Sequence, residues 1–298
     1  MVTGGIFIYR LKLTARNSGI IGRIKSMWKL RQVLSAFVLG GALLVSACSS
    51  EDDELAYVER PPEDLYNEAL DQLQSENYIK SIQLFDEVER QHPYSVWARQ
   101  AILMSAFAAY EDSEYIKSIA SSERFLQLYP GSEDAPYALY LIGQSYYEQI
   151  SDVQRDQSFT QQALRNLREL IRRYPQSSYA KDARIKIDLA VDHLAGKEMD
   201  VGRFYLRKGA YTGAINRFRN VIETYQTTSH VPEALHRLVE AYLSLGIQSE
   251  AQTAAAVLGH NYPGSSWYAD SYFLLEGEDL RPIVDERSWL ASLWGSVF

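Results

Sequence analysis

The sequence predicts an all-α chain, a superhelical solenoid of five helix hairpins plus a closing helix, on three observations. A turn motif recurs as His92-Pro93-Tyr94-Ser95, Tyr129-Pro130-Gly131-Ser132, Tyr174-Pro175-Gln176-Ser177 and Tyr262-Pro263-Gly264-Ser265, with Tyr225-Gln226 in a degenerate fifth place. Proline ends one helix and serine caps the next. Fixed offsets before each turn keep their character. Twelve residues before stand Ser81, Ser118, Ala163, Ala214 and Ala251, all small; five before stand Val88, Phe125, Leu170, Val221 and Leu258, all apolar. Between turns, apolar residues recur three and four apart, with no long alternating segment of β type.

Residues 1–47 read as a lipoprotein signal peptide. Lys29 and Arg31 precede 15 uncharged residues, 33–47, a run too short to span a bilayer. Val45-Ser46-Ala47 lead into Cys48, the only cysteine. This is a lipobox, in which the thiol receives a diacylglycerol, cleavage falls before it and the new amino terminus is acylated. Met27 is read as the true start, giving a leader of 21 residues. Residues 48–62 form a tether, acidic at Glu51-Asp52-Asp53-Glu54, with a reach of about 45–50 Å.

Repeats 1–3 occupy 63–177, and repeats 4 and 5 with the closing helix occupy 178–276. The turns are spaced 37, 45, 51 and 37 residues apart, so the third and fourth repeats are expanded. The first excess maps to a polar loop at 151–158. The second lengthens the helix that ends at Lys208, where Gly209 is placed to stop it in a left-handed conformation. Gly196 falls inside that helix at a cost of about 1 kcal/mol. Residues 267–275 form the closing helix. In the tail, 277–298, Trp289, Leu290, Leu293, Trp294 and Val297 have helical spacing and are expected to dock back on the solenoid end, because a terminal repeat must hide its apolar face.

The mature chain holds 23 Lys and Arg against 38 Asp and Glu, a net charge of −15, because residues 1–47 carry seven basic residues and no acidic ones. Such a chain has no footprint for nucleic acid and is repelled by anionic lipid. Membrane contact is therefore expected from the acyl chains on Cys48. The five histidines are scattered, and no zinc set, phosphate loop or Gly-x-Ser-x-Gly turn occurs, so no enzyme, cofactor or metal is expected.

Binding is the remaining class. Arg203, Arg207, Lys208, Arg217 and Arg219 gather positive charge on the fourth hairpin, with Asn216 beside Arg217, a surface suited to an acidic partner. Tyr66, Tyr94, Tyr137, Tyr140, Tyr146 and Tyr147 are candidates to line a groove for an extended peptide, although repeat packing also explains tyrosines such as Tyr78, Tyr115 and Tyr211.

The hairpin pattern resembles the tetratricopeptide repeat, whose hairpins wind into a right-handed superhelix. With the lipobox and the expanded middle repeats, the chain resembles the BamD family, lipoproteins of the β-barrel assembly machine. The closest stretch runs from Arg155-Asp156-Gln157 through Tyr174-Pro175-Gln176-Ser177-Ser178-Tyr179-Ala180-Lys181-Asp182-Ala183, Leu194-Ala195, Lys197-Glu198, Phe204-Tyr205 and Arg207-Lys208-Gly209-Ala210-Tyr211 to Asn216-Arg217 and Tyr225. The resemblance implies a scaffold at the periplasmic face of the outer membrane. Its N-terminal repeats would recognise unfolded outer-membrane proteins, and its C-terminal repeats would dock on the POTRA repeats of the barrel protein BamA beside other assembly lipoproteins. Arg217 matches the family's BamA contact. Ser49 after the lipidated cysteine is compatible with outer-membrane sorting. Gln157 replaces a usual proline, and Gln226 replaces the fourth repeat's closing proline. The alternative is another repeat lipoprotein, a secretin pilotin or a scaffold for peptidoglycan enzymes, and the expanded repeats argue against it.

Overall fold

The computed structural model describes residues 59–294; the lipobox with Cys48, the leader and most of the tether lie outside the described residues. Every regular element among the described residues is an α-helix. The hairpins are α1 (Pro62–Gln74) with α2 (Tyr78–Gln91), α3 (Val96–Glu111) with α4 (Tyr115–Leu128), and α5 (Ala135–Glu148) with α6 (Ser158–Arg173). Then come α7 (Tyr179–Arg207) with α8 (Tyr211–Thr224) and α9 (Val231–Ser244) with α10 (Gln248–Asn261), followed by α11 (Ser266–Gly277) and the short α12 (Trp289–Trp294). From α1 to α11 each helix packs on the next, and the first helices of successive hairpins also touch one another from α1 through α11. This is a tetratricopeptide-like helical solenoid.

The register read from the turns is the register of the core. Ser81, Ser118, Ala163, Ala214 and Ala251 are each 0% exposed, as are Val88, Phe125, Leu170, Val221 and Leu258. Small residues are required because paired helices cross closely: the Ser81 hydroxyl donates to the Ala69 carbonyl at 2.9 Å. At Gly202 of α7 a Cβ would lie 2.4 Å from the buried ring of Phe218 on α8.

Four hairpins share one turn geometry. Glu76 (φ 59°), Ser113 (φ 63°), Gly209 (φ 70°) and Gly246 (φ 72°) each sit left-handed two residues past the first helix. The next amide then closes the helix end, as Ala210 does on the Tyr205 carbonyl at 3.0 Å. The turns between hairpins correct one expectation. Ser95 and Ser265 cap their helices, accepting from the Ala98 and Trp267 amides. Ser132 accepts only from Asp134, and the buried Ser177 hydroxyl has no partner, because α5 and α7 start later, at Ala135 and Tyr179.

The third hairpin has the expected polar loop, at 149–157, and Gln157 organises it. This side chain is 8% exposed, and its amide reaches the carbonyls of Asp152, Val153 and Arg155 at 3.2–3.4 Å while accepting from the Thr160 hydroxyl. A hydrogen-bonded bridge thus fixes the loop without a proline. The loop closes on α7, where Lys197 donates to the Gln154 carbonyl at 2.9 Å. Gly196 leaves room there for Val153 and His230, 3.5 and 3.3 Å from where its Cβ would be.

The closing helix proves to be the first half of a sixth hairpin. Asp279 repeats the left-handed turn (φ 57°), and the Leu280 amide closes on Leu275 at 2.8 Å as Ile247 does on Tyr242. No second helix packs directly after this turn. The small position five residues past the turn holds Val284, and its facing position, Ala69, Ala106, Gly202 and Val239 in earlier hairpins, holds the much larger Tyr272. Pro282 also pushes Arg281 toward an extended conformation. The chain instead runs along α10, where the Asp285 amide donates to Thr253 and the Ser288 hydroxyl to Glu250. There α12 buries Leu290 completely, and the Trp289 indole N–H donates to the Tyr242 hydroxyl at 2.9 Å. The expected docking of the tryptophan helix is observed for Trp289, Leu290, Leu293 and Trp294, and Val297 lies outside the described residues.

Two predictions follow from this packing. Gly202→Ala should destabilise the chain by about 1–2 kcal/mol in urea unfolding, although alanine is the better helix former, because Phe218 has no space to yield. His236 lies buried between α9 and α11, its Nδ1 2.9 Å from the Ser271 hydroxyl, with Glu240, Arg237, Asp270 and Glu233 around it. Burial pushes the imidazole below its ordinary value of 6.5, against the pull of Glu240. Its contribution to stability is therefore whole above that value and lost as the pH falls below it. The drop in melting temperature from pH 7.5 to 5 should be smaller in His236→Gln than in the parent.

Candidate functional site

Two surfaces carry the residues singled out from sequence, and both involve α7. On the first, α5 presents Tyr137, Tyr140 and Tyr147 toward the start of α7. Tyr179 places its ring centroid 5.2 Å from Tyr137 and 5.1 Å from Tyr140. The Tyr140 hydroxyl donates to Asp182 at 2.6 Å, and the ammonium of Lys186 lies 5.9 and 5.8 Å from the ring centroids of Tyr140 and Tyr147. From α3, Tyr110 accepts from the Gln144 amide at 3.0 Å. Burial raises the Tyr137 and Tyr140 hydroxyls well above the ordinary phenol value, reinforced at Tyr140 by Asp182, so both remain donors at physiological pH.

Alongside this cluster a cleft of about 380 Å³ is lined by Tyr147, Glu148, Ile150, Leu189 and His193. Ile185 and Leu189 on α7 stay 55% and 53% exposed. Aromatic faces, apolar side chains and a few fixed polar groups are what an extended segment of alternating character needs. Tyr110, Tyr179, Asp182 and Lys186 were missed as members of this group because only the second helix of each repeat was placed in register.

The tyrosine set needs correction at three positions. Tyr66 is 9% exposed and packs on Phe85 and Trp97, ring centroids 5.4 and 5.0 Å away, so its faces are used within the first repeats. Tyr94 is fully exposed in the turn after α2 and joins no ring. Tyr146 makes its ring contact with Phe159, at a centroid distance of 6.4 Å, rather than with Tyr137, Tyr140 or Tyr179.

The second surface is the α7–α8 hairpin. Arg217 donates from Nη1 to both oxygens of Glu198, at 3.1 and 3.4 Å. Its Nε and Nη2, the edge that forks onto a carboxylate, make no hydrogen bond among the described residues. Asn216, Arg207 and Lys208 are exposed, and Lys208 reaches over the half-exposed Phe204 ring. Arg203 is corrected: it pairs with Glu233 of α9 at 3.0 Å and is spent on stacking one hairpin against the next. Arg219 lies 4.0 Å from the ring centroid of Trp289 and pairs with Glu223, so it holds the tail. Four positions, Asn216, Arg217, Arg207 and Lys208, remain outward.

No group of three or more His, Cys, Asp or Glu side chains that could hold a metal ion occurs among the described residues. No described helix is long and apolar enough to cross a membrane.

Comparison with known proteins gives the family. The family described as outer membrane lipoprotein YfiO matches residues 58–258. The outer membrane protein assembly factor BamD of Caulobacter vibrioides is 49% identical over 252 residues, 85% of this chain and 83% of its own. That of Rickettsia prowazekii is 43% identical over 248 residues, 83% of this chain and 98% of its own. Among solved structures, a thermophilic TPR protein of Thermus thermophilus is similar at 17% identity and a TM-score of 0.35, covering 72% of this chain and 100% of that one. On the extent of the sequence matches, the chain belongs to the BamD family of outer membrane lipoproteins.

Proposed function

We propose that the chain acts in outer membrane protein assembly as a binding scaffold without catalytic chemistry, held at the periplasmic face of the outer membrane by lipid on Cys48. The tyrosine-lined face of α5 and α7 takes an extended segment of an unfolded outer-membrane protein. The α7–α8 hairpin docks on the POTRA repeats of a BamA-type barrel protein, beside other lipoproteins of the machine. Family membership supports the assembly role. The observation that carries the docking surface is Arg217, exposed, oriented by Glu198 from one side and with the fork-forming edge of its guanidinium unengaged. A carboxylate on the partner would complete a bidentate, charge-assisted pair.

Reversing that charge sets like charges against each other at the contact. Arg217→Glu should weaken binding to the purified POTRA region at least about 30-fold with unchanged helicity by circular dichroism. Undiminished binding would remove Arg217 from the interface.

The anchor makes a separate prediction. Cys48→Ala should release the protein from the outer-membrane fraction while leaving its thermal unfolding unchanged, since Cys48 precedes the described fold by more than ten residues. Retention in the membrane pellet would show a second attachment.

A further inference from the structure

The first helices of the hairpins use two positions to stack on the next repeat, ten and six residues before the left-handed turn residue. The first is Tyr66, Leu103, Met199 and His236 in turn, exposed by only 9, 7, 0 and 4%. In each of these four hairpins at least one of the two positions is covered from the following hairpin. Tyr66 meets Trp97; Leu103 packs with Ala138, and Phe107, at the second position, lies against the same cluster; Arg203 pairs with Glu233; His236 meets Trp267 and Ser271.

In α11 the same two positions are Ala269 and Phe273, counted back from Asp279. Among the described residues nothing covers them. Trp267, Ser271 and Leu275 seat one face of α11 on α9 and α10, with Ser271 and Leu275 fully buried. At 100° per residue, Ala269, Phe273 and Gly277 line the opposite face. All three are exposed, Phe273 by 69%, and the tail helix α12 packs on α10. Terminal repeats of a solenoid ordinarily present a polar outer face, and this one presents a phenylalanine between two small residues, the pattern that admits a close helix.

Charge selects the occupant. Asp270 and Glu276 flank the stripe and Glu278 and Asp279 follow it, all exposed and in no salt bridge among the described residues. We propose that the outer face of α11 stacks a basic amphipathic helix of another polypeptide, which takes the place of the first helix of a further hairpin. The helix would set an apolar stripe on Phe273 and Lys or Arg side chains toward the four carboxylates, the helix-in-groove mode of recognition. This surface is independent of Arg217, so either proposal can fail alone.

The test places the photo-crosslinker benzoylphenylalanine at position 273 of the full-length lipoprotein in its own cells, and maps adducts by mass spectrometry. The expected result is an adduct within a helix of another protein that has an apolar stripe flanked by Lys or Arg. A crosslinker at position 277 should give the same adduct, and Phe273→Glu should lower its yield at least tenfold with unchanged helicity. An adduct to a second copy of the chain, to phospholipid or to an acidic or non-helical segment overturns the proposal, as does the absence of any adduct.

Discussion

Helices in this chain approach one another so closely that only small side chains fit at the crossings, and the rest of the architecture depends on that closeness. At α7 it leaves no room for a Cβ, and Gly202 lies under the Phe218 ring. With 29 residues, α7 spans about 43 Å, twice the length of its neighbours. Its first half carries Tyr179, Asp182 and Lys186 of the tyrosine surface, and its second half carries Glu198 and Arg207 of the basic one. Three further contacts hold it in place: Lys197 on the 149–157 loop, Asp192 accepting from Ser229 in the next turn, and Arg203 on Glu233. Two surfaces of different chemistry are thus fixed on one rod.

Charge is divided in the same economical way. Most arginines among the described residues pair with the chain's own carboxylates; the exposed pairs add little stability, but stacking pairs such as Arg203–Glu233, with Glu233 only 15% exposed, fix how hairpins sit. What remains for a partner is a narrower strip than the count of basic residues implies. Arg217 is the centre of it: Glu198 restricts its rotamers without occupying its second edge, which would lower the entropy lost in the proposed docking.

The fold was legible in the sequence wherever a position had a single physical job. Proline and serine mark the turns, and the residues twelve and five before them must be small or apolar for paired helices to cross, so the register, the 29-residue helix and the expanded loop could all be read. The first helices were harder. Where a left-handed turn residue sets their register, it is Gly209 and Gly246 in two hairpins but Glu76, Ser113 and Asp279 in three, where residue type gives no warning. Tyr66 therefore looked like a groove residue when it is a stacking residue, and the half-hairpin after Pro263 looked like a simple closing helix. Arg203 was misassigned for a related reason: its partner Glu233 lies 30 residues away, in the next repeat.

The account stands or falls on α7 being one continuous rod that holds both surfaces at a fixed separation. Spin labels placed at the exposed positions 181 and 207 of a Cys48→Ser chain, where no other cysteine competes, measure this directly by double electron–electron resonance. A single narrow distance near 39 Å, about 26 helical rises, is predicted both for the chain alone and after addition of the proposed barrel partner. A broad or two-peaked distribution would show a hinge within α7 and contradict the account.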